Sequence, residues 1–551
     1  MSHVLVWFRR DLRLADNTAL RAALDSNMCP VPVYIHDPAL APEGAASQWW
    51  LHHSLHALQQ DLRRIGSDLL ILTGNSHTEL MTAALACNAS HVFWNRRYEP
   101  AAVAQDTATL TKLDKAGLEV ESYPGNLLRE PWTLAKRGGT PYRVFTAFYR
   151  ELTASTPVDM PLPAPAALPP LPDTLPGSLT PDDLGLLPSI AWDAAFAQHW
   201  QPGEAGAWER LADFTREALA DYADNRDRPD LPDTSRLSPC LHFGEISPRQ
   251  VRHFIEDHLH HHEEPGLVAA AESWLRQLAW REFGHHLLWH FPETAEEAMD
   301  RRFGKFPWRE NPAGLRAWQS GQTGIPLVDA GMRELWATGW MHNRVRMVAA
   351  SLLTKNLLIP WQTGAAWFMD TLLDADLANN TLGWQWTAGC GVDAAPYFRV
   401  FNPVRQGERF DPDGSYVRRW VPELAQLPAK WIHQPWSAPA KVLNEAGVTV
   451  AFSGFETHQA RKQRQAAGNA VASGLPWEAA LAALTANPAD ILGLEEGFGR
   501  IEPGSPADIV IWSGDPLEVT SAAEQVILDG KAIDMVSRQT LLRDRYLQEN
   551  P

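Results

Sequence analysis

Cysteine and long apolar runs are both scarce in this sequence, and each shortage excludes a class of protein. Its 551 residues include four cysteines, scattered without a C-x-x-C pair, so we expect neither a disulfide framework nor a zinc site. No run of eighteen or more apolar residues occurs, which excludes a transmembrane helix. The first apolar run is short and is followed by arginines, so it predicts a strand and not a signal peptide. We therefore expect a cytoplasmic protein without a metal ion or a membrane partner.

Basic residues are also in the minority. The 48 Lys and Arg stand against 66 Asp and Glu, and the resulting net charge of −18 argues against a generic nucleic-acid binder. Segment 331–420 is balanced, with nine basic and eight acidic residues, so a local cationic face is still possible.

Tryptophan is abundant by contrast, with 24 Trp against 9 Tyr. Two interpretations fit that number, a Trp-rich helical core and a role in stacking or electron relay.

The order of apolar runs predicts an α/β domain followed by an α-helical one. Residues 1–130 alternate short β-like runs, such as HVLVWF and HVFWN, with helical patterns, which predicts a Rossmann-like parallel sheet covered by helices. No G-x-G-x-x-G motif follows the first strand, so a dinucleotide fingerprint is absent there. Residues 131–200 predict an extended linker, with ten prolines between positions 157 and 188. Residues 201–448 predict an all-α domain, and residues 449–551 a short α+β fragment with one helical stretch at 476–494.

Polar side chains in the helical region form groups that a plain helical bundle does not need. Thr234, Ser235 and Ser238 lie in a turn before a helix, which suits either phosphate binding or simple helix capping. Asp374 and Asp376 require cationic or N–H partners if they are buried, and Arg346 is a candidate for one of them. Helical spacing places Gln277, Trp280 and Arg281 on one helix face. It places Asn343, Arg346 and Met347 together on the face of another helix. Histidines also cluster at 257–265, where the Glu-Glu-Pro that follows favours a solvated helix end over a metal site.

Long collinear motifs carry a family resemblance over residues 1–448. They include VLVWFRRDLRLADNTAL, TSRLSP, LAWREFGHHLL, GIPLVDAGMRELWATGWMHNRVRM and DADLANNTLGWQW. The sequence resembles the photolyase/cryptochrome family and, within it, the class I photolyases for cyclobutane pyrimidine dimers. The resemblance implies an N-terminal α/β domain, a long linker and a helical domain that holds FAD. It also implies light-driven repair of UV-damaged DNA, in which excited, reduced, anionic FAD passes an electron to a dimer flipped out of the duplex.

The resemblance assigns roles to individual positions. Electron relay and flavin tuning would involve Asn380, Trp308, Trp361 and Trp384. The implied FAD contacts are Tyr222, Thr234, Ser235, Arg236, Leu237, Ser238, Arg281, Arg346, Asp374, Ala375, Asp376 and Asn380. The implied DNA or lesion contacts are Arg226, Gln277, Trp280, Asn343, Arg344, Met347, Trp386 and Gln406. No metal ligand is implied, and we expect a monomer.

Three positions bear on which member of the family this is. Asn380 stands where the family's plant light sensors have Asp. A carboxylate ~4 Å from an anionic flavin would cost ~4 kcal/mol at an effective dielectric constant of about 20, so a neutral amide favours repair over signalling. Asn343 and Met347 replace the two histidines of (6-4) photolyases, which favours cyclobutane dimers as the substrate. Gln277 replaces a common Glu, which puts the affinity for the dimer in question.

The antenna and the tail leave alternatives open. Ala101 and Ala102 replace an Asn-Glu pair of the folate-binding branch, which argues against folate, so a second antenna chromophore could be a deazaflavin or another flavin, or be absent. The tail resembles the C-terminal end of metal-dependent amidohydrolases, through TANPADILGL and GRIEPGSPADIVIW, without the metal-binding part. It could be a chimera joined near THQARKQRQAA or a true appended domain. A cryptochrome-like photoreceptor that signals through this tail is the alternative function.

Overall fold

The computed structural model describes residues 2–38, 43–136, 138–154, 158–262, 264, 266–394, 399–454, 462–494 and 497–548. The described chain divides into two compact units, Met1–Pro412 and Asp413–Pro551. The possible join near THQARKQRQAA falls partly on residues 455–461, which lie outside the described residues. Among the described residues, no helix combines the length and the apolar character needed to cross a membrane.

The first unit begins with a five-stranded parallel sheet in the order β3-β2-β1-β4-β5, as the alternating sequence pattern predicts. Its central strand is buried along Val4–Phe8 because helices cover both faces of the sheet. The strands and the helices between them are β1 His3–Phe8, α1 Thr18–Asp25, β2 Cys29–His36, α2 Ala45–Arg64, β3 Leu70–Thr73, α3 Ser76–Cys87, β4 Ala89–Asn95, α4 Pro100–Lys115 and β5 Glu119–Tyr123.

The Pro-rich stretch 131–200 contains more regular structure than its composition predicts. One α-helix, α5 Phe145–Ala154, and 3₁₀ helices at Pro131–Thr133, Pro181–Leu184 and Phe196–Gln198 interrupt it. Backbone hydrogen bonds tie it to the α/β part, from the N–H of Leu168 to the carbonyl of Ile65 (2.8 Å) and from Leu179 to Ile71 (2.9 Å). The stretch is therefore fastened to the protein surface.

The rest of the first unit is helical, as the sequence predicts. Helix α10 runs through its middle and packs against α15, where Gly284 lets the backbone of Ala378 approach closely. The helices are α6 Glu204–Glu217, α7 Tyr222–Asn225, α8 Ser238–Phe243, α9 Pro248–His261, α10 Leu267–His290, α11 Pro312–Gln319, α12 Pro326–Thr338, α13 Asn343–Ser351, α14 Trp361–Thr371, α15 Leu377–Ala388 and α16 Pro403–Phe410, with a π-helical turn at Leu352–Asn356 and 3₁₀ helices at Pro292–Ala295 and Arg301–Lys305.

The second unit contains short helices and a three-stranded antiparallel sheet, β6-β7-β8. The single helical stretch predicted at 476–494 is divided into two helices, because Pro488 has no N–H to donate to a continuous helix. The elements are α17 Ser415–Trp420, α18 Ala429–Ile432, α19 Ala440–Glu445, α20 Gln463–Ala472, α21 Trp477–Ala482, α22 Ala486–Ile491, β6 Ile509–Trp512, β7 Ala523–Leu528, β8 Lys531–Ile533 and α23 Arg538–Gln548, with 3₁₀ helices at Pro422–Leu424 and Pro435–Ser437.

Candidate functional site

Helix α15 presents an open polar face inside the helical region. The Asp376 carboxylate caps its start by accepting a hydrogen bond from the Asn379 N–H (2.8 Å). Asn380 follows one turn later, and its amide donates to the carbonyl of Ala365 (3.0 Å). A Cβ added to Gly383, one further turn along, would meet no atom within 4 Å, so this face borders open space. A planar cofactor could lie against such a face with Asn380 beside it.

An ion pair with a buried carboxylate stands next to this face: the Asp374 side chain is 4% exposed and the Arg346 side chain 23%. The Arg346 guanidinium donates to both Asp374 carboxylate oxygens, at 3.1 and 2.9 Å, and the Ser238 hydroxyl donates to the same carboxylate at 2.6 Å. A third nitrogen of Arg346 donates to the carbonyl of Met341 (2.7 Å). The pair predicted from the sequence is therefore present, and it ties α13 to both the loop before α15 and the first residue of α8. Ala375 is buried between the two aspartates.

Two buried histidines hold the second aspartate in its charged form. The nearest nitrogens of His285 and His242 lie 3.4 and 3.7 Å from the Asp376 carboxylate. Burial alone would raise the pKa of Asp376, but its charge interaction with His285 and hydrogen bonds from both histidines hold it well below its usual range. Burial would lower the pKa of His285, yet the Asp376 carboxylate outweighs that effect and raises it. The result is a buried carboxylate–histidine pair at the start of α15.

This pair predicts a pH-dependent loss of stability. We expect Asp376→Asn to lower the free energy of unfolding by ~3 kcal/mol at about pH 6, because it leaves His285 without a counter-charge. Since the folded state raises the pKa of His285, the stabilisation is complete below about 6.5, its unfolded value, and disappears as the pH rises through the folded value. The difference between the two proteins should therefore shrink at alkaline pH. Urea unfolding at several pH values measures it, and a pH-independent difference would contradict the assignment.

The turn before α8 carries three of the predicted FAD contacts, Thr234, Ser235 and Arg236. Arg236 adopts a left-handed backbone conformation, φ +49°, which turns the chain sharply between Ser235 and Leu237. Its guanidinium lies over the indole of Trp340, 4.6 Å from the ring centre. A cavity of about 680 Å³ opens beside Thr234, Ser235 and Arg236. Four carboxylates also line it (Glu209, Asp213, Glu217, Asp233), so this cavity suits a phosphate poorly. Tyr222, in the neighbouring α7, is buried.

The three relay tryptophans differ in their exposure. Trp384, on α15, is buried and packs edge-on against Phe368 and Trp318, with ring centres 5.0 and 6.1 Å apart. Trp361, buried at the start of α14, precedes Gly364 by one turn, and a Cβ on Gly364 would collide with the Trp384 ring. Trp308 is partly exposed and lies against Phe306, with ring centres 4.4 Å apart. The chain thus places two predicted relay residues in the interior and one near the surface.

The predicted lesion contacts form two neighbouring groups. In the first group, Arg226 donates to the hydroxyl of Ser273 on α10, and Gln277 donates to the backbone carbonyl of the same residue, each at 3.4 Å. In the second, Arg344 pairs with Asp227 (2.7 Å), the residue directly after Arg226. The two groups therefore meet at the end of α7.

The remaining predicted contacts fall near these groups. Asn343 and Met347 lie one turn apart on α13, with amide nitrogen and sulfur 3.9 Å apart. Trp386 is partly buried on the open side of α15, its ring centre 6.2 Å from that of Phe401. Gln406 lies on α16, and its amide oxygen is buried without a hydrogen-bond partner within the described part of the chain. An unsatisfied buried acceptor of this kind is suited to a donor from a ligand.

Two predicted contacts have surroundings that the sequence did not indicate. One face of Trp280 is covered by Phe145 of α5, with rings nearly parallel and 3.7 Å between their centres. The Arg281 guanidinium donates to the carbonyls of Asn126 (2.8 Å) and Leu241 (3.3 Å), so it binds the α/β part to α8. The sequence analysis also missed His242, His285, Phe145 and Asp227 as members of the site. Of these, His285 could have been found, because it is the first of the two consecutive histidines in LAWREFGHHLL.

The residues present fit a bound flavin nucleotide. The open face of α15 bears an amide and a glycine, and both aspartates near it are already neutralised by Arg346 and the two histidines. An anionic ring system beside Asn380 would therefore meet few uncompensated negative charges.

Comparison with known proteins decides the family. The model for the FAD binding domain of DNA photolyase matches residues 274–467, and the DNA photolyase model matches residues 4–168. The deoxyribodipyrimidine photo-lyase of Agrobacterium fabrum is 46% identical over 448 residues, which cover 81% of this chain and 92% of that protein. The chain belongs to the photolyase/cryptochrome family. Residues 274–467 accordingly carry the family's FAD-binding sequence.

Other relatives include both photolyases and photoreceptors. Cryptochrome-2 of Arabidopsis thaliana is 40% identical over 463 residues, covering 81% of this chain and 74% of that protein. A crystal structure described as a bacterial class III photolyase from Agrobacterium tumefaciens is 44% identical, with a TM-score of 0.79, and covers 86% of this chain and 98% of that one. An amidohydrolase family model matches residues 437–534, overlapping the FAD-binding match by 437–467.

Proposed function

We propose that this photolyase-family protein repairs cyclobutane pyrimidine dimers in DNA under blue light. The observation that carries the proposal is Asn380, a neutral amide on the open face of α15, where its side chain is anchored on the Ala365 carbonyl. Bound FAD, in its reduced anionic form, supplies the light-driven electron transfer. The amide keeps a negative charge away from that flavin, at a saving of ~4 kcal/mol relative to a carboxylate ~4 Å away.

The chain's own residues hold and shield the reacting groups. Arg346 and Ser238 fix Asp374 beside the cofactor face, and His285 and His242 fix Asp376. Trp384 and Trp361 fill the interior side of that face, and Trp308 extends the relay towards the surface.

A separate group of residues would receive the DNA. Trp280 and Trp386 wall a cavity for the flipped dimer, and Gln277 and Gln406 hydrogen-bond its base edges. Arg226 and Arg344 would contact the flanking phosphates, with Asp227 setting the position of Arg344. The partner would therefore be UV-damaged DNA, bound by a monomer in the cytoplasm.

Two further questions concern the class of photolyase and whether the protein acts as a photoreceptor. The sequence motifs predict class I, whereas the similarity to a protein described as class III supports that class more directly. Photoreception is the second candidate function, and the 40% identity to a plant cryptochrome supports it. Asn380 and the uncharged pair Asn343 and Met347 favour repair of cyclobutane dimers.

The domain division and the tail extend this proposal. We place an antenna domain at 1–130, a linker at 131–200, the FAD-binding domain at 201–448 and an amidohydrolase-like fragment at 449–551. The last boundary lies 36 residues beyond the start of the second compact unit, Asp413–Pro551. The fragment would lack hydrolase activity, and the identity of any second chromophore stays open, with Ala101 and Ala102 arguing against folate.

Lesion selectivity tests this proposal. Reduced protein is illuminated with matched oligonucleotides that carry either a thymine dimer or a (6-4) photoproduct, and loss of each lesion is followed by chromatography. We expect loss of the thymine dimer alone. Loss of the (6-4) product, or of neither lesion despite bound FAD, would contradict it.

Gln277 offers a quantitative check on dimer recognition. We expect Gln277→Glu to tighten binding to dimer-containing DNA about fivefold relative to undamaged DNA, because a charged hydrogen bond to a thymine N–H is stronger by ~1 kcal/mol. Fluorescence anisotropy in darkness measures both affinities, and their ratio removes the general repulsion between the new carboxylate and phosphates. Arg252→Gln, on α9 and paired with Glu256, is the control and should leave the ratio unchanged. An unchanged or smaller ratio for Gln277→Glu would place this side chain away from the dimer.

A further inference from the structure

Three metal-binding side chains meet at a point away from the flavin site. His52 and His56 lie one turn apart on α2, and Asp182 approaches them from the 3₁₀ helix Pro181–Leu184 in the Pro-rich stretch. Their ligand atoms all lie within 4.8 Å of one another. Two histidines at i and i+4 on one helix face are a spacing that zinc sites use.

The Asp182 carboxylate lies almost equally far from both histidines. Its oxygen is 3.5 Å from Nε2 of His52 and 3.4 Å from Nε2 of His56, and the second contact is a long hydrogen bond. Two ligands of one tetrahedral Zn²⁺, with bonds of about 2.05 Å, lie about 3.3 Å apart. The two distances to Asp182 match this spacing, and the three ligand atoms, all within 4.8 Å of one another, would need to close by about 1.5 Å at most.

The surroundings of His52 and Asp182 favour the binding of a cation. His52 is 5% exposed, and its Nε2 faces the Asp182 carboxylate, so one ligand atom of the group lies in the protein interior. A capping box formed by Thr180 and Asp183 fixes the turn that carries Asp182.

We propose that His52, His56 and Asp182 form a site for one divalent transition-metal ion of the zinc type, with water as a fourth ligand. The ion would cross-link the Pro-rich stretch to α2, since Asp182 is the only one of the three ligands outside that helix. This proposal revises the expectation of no metal, which rested on cysteine spacing and on the histidines at 257–265 and overlooked the pair in α2.

Metal titration of the full chain tests the site. Protein stripped with a chelator is titrated with Co²⁺, whose visible absorption reports tetrahedral coordination, and then with Zn²⁺ in competition. We expect one equivalent to bind, and Asp182→Asn and His56→Ala each to weaken binding at least ~10-fold. Asp182 is exposed, so its variant should keep the wild-type circular dichroism spectrum. Zinc should also raise the denaturation midpoint of the wild type and not that of Asp182→Asn.

The histidine run on α9 is the competing site, and it supplies the control. A variant with both His260→Ala and His261→Ala should bind Co²⁺ with wild-type affinity. The proposal is overturned if this control loses the absorption while Asp182→Asn keeps it. It is equally overturned if the wild type binds no stoichiometric metal.

Discussion

Replacing Arg346 with alanine should lower the free energy of unfolding by ~3–5 kcal/mol and remove most of the bound FAD. The change leaves Asp374 as a buried carboxylate whose only remaining described side-chain partner is the Ser238 hydroxyl. Losing one member of a buried ion pair costs this much because the other charge stays desolvated. Urea unfolding followed by tryptophan fluorescence measures the first effect, and the flavin-to-protein absorbance ratio measures the second.

An exposed Arg–Asp pair in the same unit provides the matched control. The Arg302 guanidinium contacts Asp300 at 2.6 Å, but its side chain is 89% exposed. We expect Arg302→Ala to leave both unfolding and FAD content unchanged, because solvent screens exposed ion pairs. If Arg346→Ala also unfolds at the wild-type urea concentration, Arg346 and Asp374 are not paired in the buried geometry.

Replacing Trp384 with phenylalanine should abolish photoreduction of bound FAD while leaving FAD binding intact. Phenylalanine keeps the apolar packing on Phe368 and against Gly364, but its ring is far harder to oxidise than an indole. The predicted relay through Trp384, Trp361 and Trp308 would therefore be interrupted at its innermost member. Absorbance of the oxidised flavin under blue light, with an external reductant present, gives the rate.

Trp318 is the control for this experiment. It is also buried, and its ring centre lies 6.1 Å from that of Trp384, yet it is not among the predicted relay positions. Its indole N–H donates to the Ala349 carbonyl (3.0 Å), so Trp318→Phe should cost ~1 kcal/mol of stability and leave photoreduction unchanged. Normal photoreduction in Trp384→Phe, or its loss only in Trp318→Phe, would place the relay elsewhere.

The α/β part was predictable because its signals are local. Apolar runs of four to eight residues bounded by turns locate β1–β5, and their alternation with helices implies parallel order. The Arg346–Asp374 pair was also predictable, since a buried carboxylate requires a partner.

Other parts of the site depend on contacts between distant segments. His242, His285 and Asp376 lie on α8, on α10 and at the start of α15, and the fold brings them together. No spacing in the sequence predicts that contact. Helix α5 was hidden within a stretch interpreted as linker from its prolines, so the stacking of Phe145 on Trp280 was missed. In the tail, Pro488 divides a pattern that otherwise predicts one helix.

The most direct test of the central claim is a time course of thymine-dimer loss from an oligonucleotide incubated with the reduced full chain, in blue light and in darkness. We predict first-order loss of the dimer in light, none in darkness, and restoration of the two intact thymines. A protein that holds FAD and photoreduces it, yet leaves the dimer unchanged in light, would contradict repair and support photoreception instead.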